Sequence, residues 1–241
     1  MISDPLVVEA AGRGGFDWVG LDLQHGAWDL ERAFRGIQLL DALGCPALVR
    51  LAEDDLALMP RLLDHGASGI VIAMVSTATV VEDAIDAARY QPVGRRSYGG
   101  QRYGLRPEPA DLDAVRPAVY AMIEDRRGVR DLEAIAAVPG LGGLHVGPVD
   151  LGLGLGVGRD RSGPVFIDAV DRIRDAGHAA GLPVTMHSVP GPDAQRWFDA
   201  GWDEVVVPAD IDLLRAGFRA QIGHARGDVV ADAPTPYGSE T

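Results

Sequence analysis

The sequence predicts an α/β fold of the (β/α)8 TIM-barrel class. Three observations carry this. Short apolar runs of strand length alternate with helical patterns along the chain, which is how βαβ units build a parallel sheet. The 241 residues match the usual size of one such barrel. Four of the runs also end on a charged or ionisable group: WVGLDLQHG on Asp22 and His25, PALVR on Arg50, VYAMIE on Glu124, and LGGLHVGPVDL on Asp150. Barrels assemble active sites from the carboxyl ends of their strands.

Taken in order, residues 1–3 read as the tip of a strand and 4–14 as the first helix. WVGLD (18–22) is the first complete strand, Trp-, Val- and Leu-rich, and a helix follows at 30–43. ALVR (47–50) is the next strand, with a helix at 56–65 that stops before Gly66. GIVIA (69–73) is apolar throughout, as a strand buried on both faces must be, and leads to a helix at 78–89. AVYAMI (118–123) precedes a helix at 129–138, and GLHV (143–146) precedes one at 165–180. In that last helix Val165, Ala169, Val170, Ile173 and Ala176 share one face. PVTMH (183–187), a helix at 193–200 closed by Gly201, EVVV (204–207) and a helix at 212–225 complete the pattern. Seven complete strands cannot close an eight-stranded barrel, so the first strand reads as truncated, with roughly 15–20 further residues expected upstream or a neighbouring subunit covering the gap. Residues 1–225 read as a single barrel domain and 226–241 as a polar C-terminal tail.

Two connections are long. Residues 91–116 carry Arg95, Arg96, Arg102 and Arg106 and are expected over the carboxyl end of the barrel, where the arginines would select an anionic aldehyde or line a subunit boundary. Residues 151–163 are Gly-rich and read as a loop; they lack the Lys-Ser/Thr pair of a phosphate loop.

Bulk composition narrows the function. A hydrophobic fraction of 47% with 24% charged residues is ordinary for a globular protein. A net charge of −13 argues against nucleic-acid partners, which need a basic face. Cys45 is the only cysteine, so an intrachain disulfide is impossible and a reducing compartment is the default. With no signal-peptide pattern and no apolar run near 18 residues, the expectation is a cytoplasmic protein without a membrane partner. Lysine is absent, which removes Schiff-base chemistry.

Glu124 and Asp150 fall at neighbouring strand ends, and two carboxylates with open positions suit a hard divalent cation, Mg²⁺ or Mn²⁺, with Co²⁺ as a third candidate. Arg50 can donate to a carboxylate or a developing enolate, and His25 is the natural acid–base group. Asp64 could orient or polarise a histidine. Each has a plainer reading: Asp22 or Asp150 as a helix or turn cap, Arg50 as one half of an ion pair, Asp64 as a solvated helix residue. His145 and His187 also lie at strand ends, where core filling is the simpler role.

At this point the motifs resemble a family. GFDWVGLDLQHG, VR followed by LLDHGASGIVIAMV, ARYQPVGRRSYGGQR, MIE and GLGGLHVGPVDL are similar, in order and spacing, to the class II metal-dependent pyruvate aldolases of the 4-hydroxy-2-oxoheptanedioate and 2-dehydro-3-deoxyglucarate aldolase type. The resemblance implies a phosphoenolpyruvate/pyruvate-type barrel that reversibly cleaves a 4-hydroxy-2-oxo acid to pyruvate and an aldehyde through a metal-held enolate. It implies Glu124 and Asp150 as metal ligands, Arg50 as the pyruvate-binding arginine, and His25 as the histidine of the general base, acting through a metal-bound water, with Asp64 as its acidic partner. It further implies Asp22 near the metal waters, the amides around Gly147 and Pro148 near the pyruvate carboxylate, and a homo-oligomer, typically a hexamer. Gln24, Ala73 and Gly152 depart from the family's common Glu, Pro and Ser, which bears on the choice of aldehyde. The competing functions are an acyl-CoA lyase of the malyl- or citramalyl-CoA type, with loop arginines on the CoA phosphates, and a keto-acid-binding barrel without turnover.

Overall fold

The computed structural model describes residues 2–102, 105, 116–187, 189 and 191–227. Seven parallel strands form one sheet in sequence order: β1 (Val19–Asp22), β2 (Ala47–Leu51), β3 (Gly69–Ile72), β4 (Ala118–Ile123), β5 (Gly143–Val146), β6 (Val184–Met186) and β7 (Glu204–Val205). Each anticipated strand is present. The helices are α1 (Pro5–Gly12), α2 (Leu30–Ala42), α3 (Met59–Asp64), α4 (Ala78–Ala88), α5 (Arg126–Arg130), α6 (Leu132–Ala136), α7 (Pro148–Leu155), α8 (Pro164–Ala179), α9 (Ala194–Asp199) and α10 (Asp210–Arg226).

Alternation along each strand divides the core into two layers. Leu21, Val49, Ile70, Ile72, Ala121, Ile123, Leu144 and Val146 face outward and pack with Ile37, Leu40, Leu62, Val81, Ile135 and Ile173 of the helices. Each fully buried Leu or Ile of this layer stabilises the fold by about 1.5–3 kcal/mol. Leu48, Val71, Ala73, Tyr120 and Met122 point inward, with Trp18 packed on them. Both faces of the strands are therefore covered, which is why they read as near-continuous apolar runs. Lower in the interior, the Tyr120 hydroxyl donates to Glu204 Oε1 at 3.0 Å and the Thr185 hydroxyl to Glu204 Oε2 at 2.7 Å. Gly143 makes room for this: a Cβ there would lie 2.5 Å from the Tyr120 ring.

Among the described residues β1 and β7 do not pair. A cavity of about 620 Å³ runs from the interior, past Leu48, Val71 and Met122, to the seam between these two strands. Ile2 and Ser3, the described part of the strand tip expected at residues 1–3, form no strand. Asp4 instead caps α1, accepting from the Leu6 amide at 2.8 Å, and the Ile2 amide donates to Asp210 at the start of α10.

Other differences have local causes. The helix expected at 56–65 is a 3₁₀ turn, Glu53–Leu58, followed by α3, with Pro60 in α3's first turn. The helix expected at 129–138 is split into α5 and α6 at Asp131. The glycine-rich stretch is not all loop: α7 begins on Pro148 and runs to Leu155, ended by Gly156 in the left-handed region. Its internal glycines are packing devices, since a Cβ on Gly152 would lie 2.4 Å from the Gly158 carbonyl oxygen.

The described part of the arginine-bearing connection, residues 91–102, is placed opposite to expectation. It leaves the end of α4, and the start of a helix-to-strand connection lies at the amino end of a parallel sheet. Arg95 and Arg96 donate their amides to the Asp86 and Arg89 carbonyls at the close of α4. Arg102 reaches Asp41 at the end of α2 and the carbonyl of His65 just after α3. Arg106 lies outside the described residues, as does the chain from 228 onward. Among the described residues no helix is long and apolar enough to cross a membrane.

Candidate active site

The carboxyl ends of β1, β2, β4 and β5 bring together Asp22, His25, Arg50, Glu124, Gly147, Pro148 and Asp150. Asp22 is the last residue of β1 and is buried. Arg50, one residue before the end of β2, meets it in register and donates twice, Nε to Oδ1 at 2.8 Å and Nη2 to Oδ2 at 2.5 Å. Asp22 Oδ1 also accepts the amides of Gln24 at 3.0 Å and His25 at 3.3 Å, shaping the turn that presents His25. Burial alone would raise the Asp22 pKa, but the hydrogen bonds and charge of Arg50, aided by these amides, hold it below the usual carboxylate value. Asp22 is thus both a turn cap and the anchor of Arg50. His25 is exposed on this turn.

Glu124 follows β4 and is 3% exposed. Its Oε2 accepts the Met74 amide at 2.7 Å. Met74 holds a left-handed backbone, φ 58°, a conformation rare outside glycine and asparagine. Gly147 completes the cradle, because a Cβ there would sit 2.0 Å from Glu124 Oε1. Burial pushes the Glu124 carboxyl up to about 7; the Met74 amide pulls it down, and the nearby Asp150 charge pushes it up again. Asp150 lies in the first turn of α7 and is exposed. A buried carboxylate that feels the charge of a second, exposed one is a donor set with excess negative charge, which fits a hard divalent cation. No third His, Cys, Asp or Glu completes a metal cluster among the described residues, so water and substrate would fill the other positions.

Asp64 does not join this group within one chain. It is the last residue of α3, at the amino end of the barrel, where Arg96 Nη2 donates to it at 2.6 Å. Arg96 is fully buried and stacks over Tyr90, its Cζ 4.5 Å from the ring centroid. The roles of Met74 and Gly147 around Glu124 went unread in the sequence. Gly147 beside a strand-end acid was the available signal; Met74 carried none.

The model of the HpcH/HpaI aldolase/citrate lyase family matches residues 2–208. The hydroxypyruvate/pyruvate aldolase of Pseudomonas aeruginosa is 31% identical over 249 aligned positions, covering 100% of this chain and 90% of that protein. The 5-keto-4-deoxy-D-glucarate aldolase of Klebsiella pneumoniae is 29% identical, covering 89% of this chain and 86% of its own length. A solved HpcH/HpaI aldolase/citrate lyase family protein from Burkholderia cenocepacia superposes with a TM-score of 0.85 at 28% identity, covering 93% of this chain and 91% of that one.

Proposed function

Since the chain belongs to the HpcH/HpaI aldolase/citrate lyase family, we propose that it is a class II pyruvate aldolase that cleaves a 4-hydroxy-2-oxo acid to pyruvate and an aldehyde, and runs the addition in reverse. The observation that carries this is the pairing of buried Glu124 with Asp150 beside the Asp22–Arg50 ion pair, all at one end of the barrel.

Glu124 and Asp150 would hold Mg²⁺, Mn²⁺ or Co²⁺, which supplies Lewis-acid polarisation of the 2-oxo oxygen when bound. Arg50, oriented by two hydrogen bonds to Asp22, directs its guanidinium charge at the anionic pyruvyl group and at the enolate charge that develops as the C3–C4 bond breaks. The amides at the start of α7, beyond Gly147, face the same group with the positive end of the helix. His25, on its exposed turn, takes the proton of the 4-hydroxyl and returns one to the carbonyl oxygen in the reverse direction. Asp64 can reach a His25 only in a second copy of the chain, and we assign the homo-oligomer, a hexamer in the resemblance, on that ground. The described arginines that an acyl-CoA reading would use lie at the other barrel end, which disfavours that alternative.

Exchange of pyruvate methyl protons into D₂O, followed by NMR without any aldehyde, tests the reading. Exchange is expected with Mg²⁺ or Mn²⁺ and not in EDTA. A barrel that only binds the keto acid would show no exchange under any metal. His25→Ala is expected to lower aldol turnover by roughly 10²–10⁴-fold; wild-type turnover in that variant would reassign the base.

A further inference from the structure

The interior holds two titratable groups that the scheme above leaves idle. His145 on β5 and His187, just past β6, line the same cavity as Arg50 and Asp22. Their rings lie 5.2 Å apart, centroid to centroid, and His145 Nε2 is 3.1 Å from His187 Nδ1. His145 is 2% exposed, and its Nδ1 is buried without a partner among the described residues.

Both rings are held neutral. Burial, then the neighbouring His187 and Arg50, keeps His145 well below the usual histidine value. Burial and the Arg50 charge bring His187 down to about 4, against the pull of Asp22. One hydrogen bond joins the two rings, and either ring could donate it. If His187 donated, the hydrogen left on His145 would sit on Nδ1 as a buried N–H with no acceptor. If His145 donates, its Nδ1 is only a bare lone pair. A buried orphan N–H is the costlier fault. His187 therefore accepts at Nδ1 and carries its own hydrogen on Nε2. No hydrogen bond takes that hydrogen among the described residues, and the side chain is part-exposed at the cavity.

We propose that His187 donates its Nε2 hydrogen to the pyruvyl oxygens that Arg50 binds, with His145 as the positioning residue that fixes the tautomer and plane of its ring. This rests on the pyruvate aldolase reading. The pyruvyl half is chosen because Arg50 and Asp22 are the charged groups that reach His187. An uncharged donor suits the place, since it adds a hydrogen bond without repelling Arg50. With the facing nitrogens tied to each other, the pair is not itself a metal-binding couple.

The test uses the full chain with ¹⁵N-labelled histidine and the pyruvate exchange assay under Mg²⁺. The His187 ring is expected as the Nε2–H tautomer, and pyruvate is expected to shift that resonance. His187→Phe should lower the pyruvate exchange efficiency about tenfold, the worth of one neutral hydrogen bond. His187→Gln, which restores an N–H near the same place, should recover part of the loss. His145→Phe should give a smaller loss and move the His187 resonance toward mixed tautomers, which a purely structural role would not do. An Nδ1–H tautomer in the wild type, or a resonance indifferent to pyruvate together with wild-type exchange in His187→Phe, overturns the proposal. A wild type that binds pyruvate at His187 yet exchanges no protons would instead overturn the aldolase reading and leave this contact standing.

Discussion

Glu124→Gln is expected to lower turnover by about 10³-fold, because it removes one anion from a two-carboxylate site whose cation polarises the reacting carbonyl, an effect worth several kcal/mol. Asp150→Asn should act in the same direction. The two changes differ in their effect on the protein without metal. Glu124 is buried, and burial already favours its neutral form, so an isosteric neutral amide should leave the metal-free protein at least as stable. Asp150 is exposed in the first turn of α7, where its charge favours the helix by only about 0.3–1 kcal/mol. Adding Mg²⁺ should raise the wild-type melting temperature by mass action and leave both variants near their metal-free values. Full activity of either variant, or of the wild type in EDTA, would remove the metal assignment.

Arg50→Ala is expected to cost two things at once. Loss of a donor aimed at developing negative charge should reduce pyruvate exchange by roughly 10²–10³-fold. The same change leaves Asp22 buried without its cation, a fault worth about 3–5 kcal/mol of stability. The double variant Asp22→Asn with Arg50→Ala separates the two effects. It should recover much of the melting temperature, because no uncompensated charge remains, but none of the exchange. Recovery of both would mean that Arg50 serves the fold and not the chemistry.

How much of this was legible in the sequence depends on the range of the interactions. The strands were readable because strands covered on both faces must be apolar, and GIVI and AVYAMI leave no other interpretation. The strand-end positions of Asp22, Arg50 and Glu124 followed from the same runs, whereas Asp150, expected at a strand end, lies in the first turn of α7. The helix boundaries at Pro60 and Asp131 were lost because local breaks compete with a periodic pattern that continues across them. α7 was hidden by Gly152 and Gly154, which weaken helix propensity but are demanded by backbone contacts with residues outside the helix. The described arginines of the long connection, Arg95, Arg96 and Arg102, lie at the amino end of the barrel because that stretch leaves the end of a helix, whereas the length and charge of the connection suggest a binding loop. The Asp64–Arg96 pair and the His145–His187 pair span 32 and 42 residues, distances over which spacing alone carries no signal.

Met74 holds backbone strain at the edge of the Glu124 cradle. Its left-handed backbone costs the fold on the order of 1–2 kcal/mol relative to an ordinary conformation. The hydrogen bond of its amide to Glu124, together with the packing of the surrounding turn, holds the residue there against that cost. Glycine would relieve the strain but free the peptide to turn elsewhere. Part of the tightness of the Glu124 cradle is thus stored as backbone strain next to the site, and the rest of the fold must be stable enough to carry it.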